Sequence, residues 1–302
     1  MRWKYPSRRA DMRRRVLACI ACIIVTLMGV HPHPFYATAA RPIGGTTALL
    51  LRYRFAVGQH FAYRIVTATA TRTEIYRRPM TRRFAPLIQR RVVVIQDRVV
   101  GVAPTGVATI AERAGRVTVT HPVYDGARTY TRTYTDAGGR ARVVTIAPDG
   151  TQHPAGPADG TGAIIDTATL GTLPPGPVRP GATWTAQVPS ALTGRPLAVR
   201  NTFVGLGYAH GEPVVIVDSV QRIDETAPIT VYMSVAVLPP QQQAHEVGTV
   251  TERALVGLMT GHLLSRRSQS HLDLTFRAWQ AGLGPAERVH ADDQTIMEQL
   301  GS

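Results

Sequence analysis

The sequence predicts an all-β protein built as two similar antiparallel curved sheets or half-barrels, an internal duplication, behind an N-terminal signal helix. Three observations lead there. Apolar and polar residues alternate with period two through most of the chain from Leu50 to Ala278, the pattern of strands with one buried and one solvated face. Leu173 to Trp184 carries four prolines, which remove backbone donors and fix φ, so a regular sheet stops there and restarts after Pro180. The first 40 residues read as an export signal and drop out of the fold.

In that leader Arg2, Lys4, Arg8, Arg9, Arg13, Arg14 and Arg15 precede an uncharged apolar core from Val16 to Val30, and Ala37-Thr38-Ala39-Ala40 offers small residues to a signal peptidase. The core is shorter than the roughly 20 residues that cross a bilayer, so cleavage after Ala39 or Ala40 and export to the periplasm or the medium is expected. Retention as a tether through residues 16–30 is the alternative. Asp11 spoils the twin-arginine pattern around Arg8-Arg9. Cys19 and Cys22 lie inside the apolar core, not at its end where a lipidated cysteine belongs, and no other cysteine follows. The chain from Arg41 therefore has no disulfide, no thiolate metal site and no thiol nucleophile, and holds itself up by burial alone.

The formal net charge is +14, with 34 basic and 20 acidic residues. The leader takes seven of the basic residues and one acid, so a surplus of eight positive charges remains beyond it, all of it arginine. Such a protein is drawn to anionic lipid headgroups or envelope polymers. An exported chain meets no nucleic acid.

The first β unit spans 50–148. Leu51, Tyr53 and Phe55 alternate with Arg52 and Arg54, a turn follows at Val57 to His60, and Phe61, Tyr63 and Ile65 resume the pattern. Residues 77–91 carry Arg77, Arg78, Arg82, Arg83, Arg90 and Arg91 with Pro79 and Pro86, which reads as a long solvated loop. Strand patterning is expected at Val92–Ile95 and on from Arg98 to Val102, then at Val107–Ile110 and Arg116–Thr120, and a hairpin at Thr129–Ile146 turning on Asp136-Ala137-Gly138-Gly139. Residues 149–180 read as a Gly/Pro linker. The second unit, 181–279, places strands at Thr183–Val188, Leu197–Val204, Pro213–Ile223 and Ile229–Leu238, then a long hairpin around Thr260-Gly261. In the tail, 280–302, Pro285 suits a first helical position and Ile296 with Leu300 would share a helix face.

Duplication is suggested by paired signals. Gly58-Gln59-His60-Phe61 parallels Gly181-Ala182-Thr183-Trp184, and Val100-Gly101-Val102 parallels Val204-Gly205-Leu206. Across most of Leu50 to Leu274 the chain resembles uncharacterised exported bacterial β-repeat proteins, in which a Pro-Gly-x-x-Trp opening, here Pro180 to Trp184, precedes the second half. That resemblance implies an envelope protein with an open half-barrel like those of lipoprotein carriers and sensors, able to hold an apolar ligand.

No local motif carries bond-making chemistry. His245-Glu246-Val247-Gly248-Thr249 begins like a zinc-protease motif but has Thr249 where the second histidine belongs. There is no Gly-x-Ser-x-Gly elbow and, with no lysine beyond residue 40, no Walker loop. Asp292-Asp293 and Asp224-Glu225 are adjacent pairs that a strand turns to opposite faces. The expected catalytic residues, metals and cofactors are none. A concave aromatic set, Tyr53, Phe55, Phe61, Tyr63 and Trp184, is the candidate ligand site, and Arg77, Arg78, Arg82, Arg83, Arg90 and Arg91 are the candidate anion site. The function expected is a non-enzymatic envelope protein that binds or carries a lipid, a lipoprotein or an anionic polymer, or that acts as a scaffold, with peripheral membrane contact. An exported hydrolase whose site assembles only on folding is the alternative.

Overall fold

A computed structural model describes residues 48–77, 80–83, 86–125, 128–136, 141–154, 172–190, 192–229, 242–278 and 285–300. The expected signal helix, most of the linker and nearly all of the expected strand at Ile229–Leu238 lie outside them. All the regular elements among the described residues are strands. They are β1 (His60–Arg77), β2 (Met80–Arg83), β3 (Leu87–Val102), β4 (Ala108–Asp125), β5 (Arg128–Asp136), β6 (Ala141–Ile146), β7 (Gln152–Pro154), β8 (Thr183–Pro189), β9 (Pro196–Ala209), β10 (Glu212–Ile229), β11 (Gln242–Gly257), β12 (Leu263–Ala278) and β13 (Pro285–Gln299).

Period two sets the inner face. In β3, Val93, Ile95 and Val99 are buried while Gln96, Arg98 and Val100 turn outward. The strands form one open antiparallel sheet in the order β7-β6-β4-β3-β1-β13-β12-β11-β10-β9-β8, with β2 on β1 and β5 on β4. Two expected sheets are therefore one. The join is β1 against β13, paired from Tyr63–Gln299 to Ile75–Glu287. β13 is the segment for which a helical tail was expected. Val289, Ala291, Asp293, Thr295 and Met297 share one face of it, and both neighbours satisfy its backbone groups, a tertiary gain that outweighs helix-like spacing.

The Arg-rich stretch is not a loop. β1 runs on to Arg77, and β2 and β3 fold back along it, pairing Glu74–Arg83 and Thr71–Leu87. Long strands recruit such residues because the ladder is indifferent to charge as long as one face stays solvated. The expected hairpin at 129–146 is also different: β5 and β6 both pair with β4, as two pieces of one strand, and not with each other. Leu51 to Phe55 is extended but belongs to no ladder. It crosses the inner face as a strap, and Leu51 and Tyr53 point into the core.

Curvature follows from the core. At about 4.8 Å per strand, β6 and β12 would stand roughly 24 Å apart in a flat sheet. Val144 and Ile146 of β6 nevertheless line the same small cavity as Leu263 of β12 and Met297 of β13. The sheet curls, and short segments tie its interior at one end: Leu173 N donates to Asp149 O (2.6 Å), Leu49 and Val178 exchange two bonds (2.8 Å each), and Tyr53 N donates to Pro148 O (2.8 Å).

The halves share a local construction. Gly58 and Gly181 take φ of 88° and 87°, values glycine reaches without cost, in the turn before β1 and before β8. Gly58 N donates to Val99 O and Val99 N to Gln59 O, both at 2.9 Å; Gly181 N donates to Phe203 O at 2.7 Å and Phe203 N to Ala182 O at 2.9 Å. One residue further on, β3 bulges at Val100 and β9 at Val204, and both valines are exposed.

Candidate functional site

The strap, residues 48–58, defines the site. Its backbone is held by Pro148 on one side and Gly261 on the other, Arg54 N donating to Gly261 O at 3.2 Å. Arg52 reaches Pro174 O at 2.6 Å and Pro175 O at 2.5 Å through its guanidinium. Gly261 is required twice over: its φ is 66°, and a Cβ there would lie 2.9 Å from Arg54 N and 3.0 Å from Arg52 O. Beneath the strap Tyr53, Phe55, Phe61 and Tyr63 form a continuous series with ring centroids 6.4 Å apart, and His262 sits edge-on to Phe61 at 4.6 Å.

These four rings line one cavity with Ile95, Asp97, Ile110, Glu112, Gln152, His262 and Met297, among others. The space left is about 30 Å³, enough for one or two waters. Trp184, the fifth residue expected in this set, is elsewhere: it lies on β8, half-buried, its Nε1 donating to Thr172 O at 2.8 Å.

Polar residues cross this floor in a row. Phe61, Asp97 and Glu112 are direct cross-strand partners on β1, β3 and β4, and Glu112 is in turn opposite Arg142 on β6. Arg142 grips Glu112 bidentately at 2.6 and 3.1 Å. Asp97 Oδ1 is buried and accepts no hydrogen bond. Burial, reinforced by the Glu112 charge and opposed by Arg142, pushes the Asp97 carboxyl up to about 7. Burial likewise holds the Tyr53 and Tyr63 phenols well above the usual range and pulls His262 down.

A second cavity of about 60 Å³ lies in the other half, lined by Thr172, Asn201, Ser219, Gln221, Glu252 and Arg266 with three valines. Glu252 and Arg266 meet at 2.5 Å, and Ser219 Oγ donates to the Asn201 side-chain oxygen at 2.6 Å. Tyr53, which lines the first cavity, feels the charges of Glu252 and Arg266, which line the second.

Of the arginine set, the described residues place three side chains. Arg83 pairs with Glu74 at 2.9 Å, Arg90 and Arg91 alternate to opposite faces of β3, and Arg82 lies on β2. Arg77 ends β1, its side chain outside the described residues, as Arg78 is entirely. Three histidines pair with aspartates on the outer face, His245 with Asp224 (2.9 Å), His271 with Asp292 (2.6 Å) and His290 with Asp273. Among the described residues no three His, Asp or Glu are grouped to hold a metal, and no helix is long and apolar enough to cross a membrane.

His262 is one of the histidines the sequence scatters along the chain, whereas Asp97, Glu112 and Arg142 fall outside the sequence expectation, which pairs only acids adjacent in the chain. The signal was present: Asp97 shares parity with Val93, Ile95 and Val99, and Glu112 with Ala108 and Ile110, so each is an acid on an apolar face. The sequence matches no protein-family model, and no curated protein is significantly similar to it.

Proposed function

We propose that this is an exported, internally duplicated envelope protein that binds an apolar ligand, a lipid or an acyl chain, on the inner face of its curved sheet. The supporting observation is the aromatic series Tyr53–Phe55–Phe61–Tyr63 on the inner face, two of its rings carried by a strap seated by the burial of Leu51 and Tyr53, a few backbone hydrogen bonds and Arg52. Space for one or two waters admits no acyl chain. Occupancy in this reading begins with the strap lifting and the ligand replacing Tyr53 and Phe55 on Phe61 and Tyr63. The matched turns at Gly58 and Gly181, with the matched bulges at Val100 and Val204, support the duplication.

The test is a fluorescence titration of the full chain with N-phenyl-1-naphthylamine, a neutral apolar dye, in competition with a fatty alcohol. Saturable binding that tightens in Gly261→Ala, where the strap is pushed off its seat, is expected. Absence of saturable binding in both proteins overturns the reading.

The opposed carboxyls of Asp97 and Glu112 in one cavity with His262 favour a second reading, acid–base hydrolysis, because one carboxyl stays protonated near neutrality while its neighbour is ion-paired. It predicts turnover of chromogenic glycosides or esters that Asp97→Asn abolishes while dye binding survives.

A further inference from the structure

A basic protein has an acidic pocket at its most aromatic point. The chain carries a net +14, yet the cavity under the strap is walled by four aromatic rings and contains two carboxyls, with the nearest guanidinium, Arg142, gripping Glu112 from β6. Two polar atoms facing this cavity have no hydrogen-bond partner and no solvent contact: Asp97 Oδ1 and His262 Nε2. The His262 ring is hydrogen-bonded to the Arg54 backbone in a way that favours protonation, which a carbonyl does, so Nδ1 is the donor and Nε2 of the neutral ring is an acceptor. An unpaired buried acceptor is costly, and what the ionised Asp97 carboxylate and His262 Nε2 lack is hydrogen-bond donors.

We infer that this cavity is the seat of a primary ammonium group, carried on an apolar body that extends under the strap. The inference rests on the ligand-binding reading above and names the chemistry of its head group. A primary ammonium supplies several N–H donors from one compact atom, to a cavity whose lining residues Asp97 and His262 each have an acceptor without one, whereas an alcohol supplies one donor and a quaternary ammonium none. The faces of Phe61 and Tyr63 favour a cation within about 6 Å of the ring centroids, and more so away from water. An anion would meet the Asp97 and Glu112 carboxyls here, which disfavours the carboxylate or phosphate that the chain's overall charge would suggest.

The site has a built-in pH response. Asp97 is faced by Tyr63 from β1, Glu112 from β4, Arg142 from β6, Tyr53 from the strap and His262 from the β11–β12 turn. Its carboxyl gains charge as the pH rises through about 7, which strengthens the hold on a cation. Protonation of His262 at low pH removes the second acceptor and adds a positive charge, so both groups act in the same direction.

The experiment is calorimetric titration of the full chain with octylamine, octanol and octanoate at pH 8 and pH 5.5. Octylamine, cationic at both, should bind at least about tenfold more tightly than octanol at pH 8, and that preference should shrink by about tenfold at pH 5.5. In Asp97→Asn octanol binding should persist while the amine preference and its pH dependence disappear. Equal preference in the wild type and Asp97→Asn, or an amine preference indifferent to pH, overturns the inference and leaves the apolar-ligand reading intact; it would mean that Asp97 is carried neutral or watered. Loss of all three ligands, octanol included, removes the reading itself. The pH profile needs no variant, so misfolding of Asp97→Asn would not spare the inference.

Discussion

Tyr53 holds the strap in the molecule, and truncating it tests the whole arrangement. The side chain is 3% exposed and packs on Phe55, with its backbone N–H on Pro148 O at 2.8 Å, a bond that alanine keeps. Removing a fully buried ring costs about 3–5 kcal/mol, the transfer loss plus the void left behind. Tyr53→Ala should therefore lose about 3–4 kcal/mol in urea unfolding if the strap stays seated. The void would enlarge the space of about 30 Å³ that Tyr53 already lines. If the strap instead leaves its seat, the loss is smaller, because the free energy of seating caps it. Hydrogen exchange at residues 49, 53 and 54 separates the cases: protection persists in the first and collapses in the second. A loss below about 1 kcal/mol with those amides still protected would refute the reasoning, since it would mean that Tyr53 is not packed as described.

The remaining predictions concern charge, close packing and processing. Asp97 binds its proton more tightly folded than unfolded, so the stability this confers is complete below about pH 4 and lost as pH rises through about 7, up to about 4 kcal/mol; Asp97→Asn should flatten urea-midpoint curves over that window. Tyr53 and Tyr63 are held neutral, so above about pH 10 the unfolded chain ionises first and stability falls; ultraviolet titration should show two phenols that ionise only on unfolding. A Cβ at Gly248 would run into the backbone oxygen of His271 and come within 2.8 Å of Leu272 Cδ2, so Gly248→Ala should cost about 1–3 kcal/mol by thermal melting, with the damage on β11–β12. Mass spectrometry of the exported protein should give an N-terminus at Ala40 or Arg41.

Strands with clean alternation were legible. β3, β9, β10 and the β11–β12 hairpin lie where Val, Ile and Leu recur at period two, and the inward aromatics of β1 were read from the same signal. What escaped was pairing. β13 carries Asp293 and Thr295 on its inner face, polar residues that blur the alternation, and only its two neighbours make it a strand. The Gly-Gly at 138–139 looks like a hairpin turn, yet β5 and β6 stay on one partner because β4 is long enough to pair with both. The strap shows the opposite error: Leu51, Tyr53 and Phe55 alternate as a strand would, but burial against an inner face imposes the same periodicity without a ladder. The site was half visible for a related reason. Aromatic residues advertise themselves within one strand, whereas Asp97, Glu112 and Arg142 meet only through the register of three.

Interior charge bears on what the inner face is for. Replacing a buried ion pair by apolar side chains of similar volume is often neutral or stabilising, so a surface that existed only to be core would gain nothing from Glu112–Arg142 or Glu252–Arg266. Both pairs sit at inward positions, each beside a cavity, and Glu112 and Glu252 are largely shut off from water. Each half of the sheet thus places polar groups where its apolar floor is incompletely filled, and the strap lies across the boundary. A displacement of residues 48–58 would withdraw Tyr53 and Phe55 from the first cavity. In the proposed reading, the acidic and aromatic cavity and the ion-paired one would offer the two ends of an amphiphile different chemistry on one inner face.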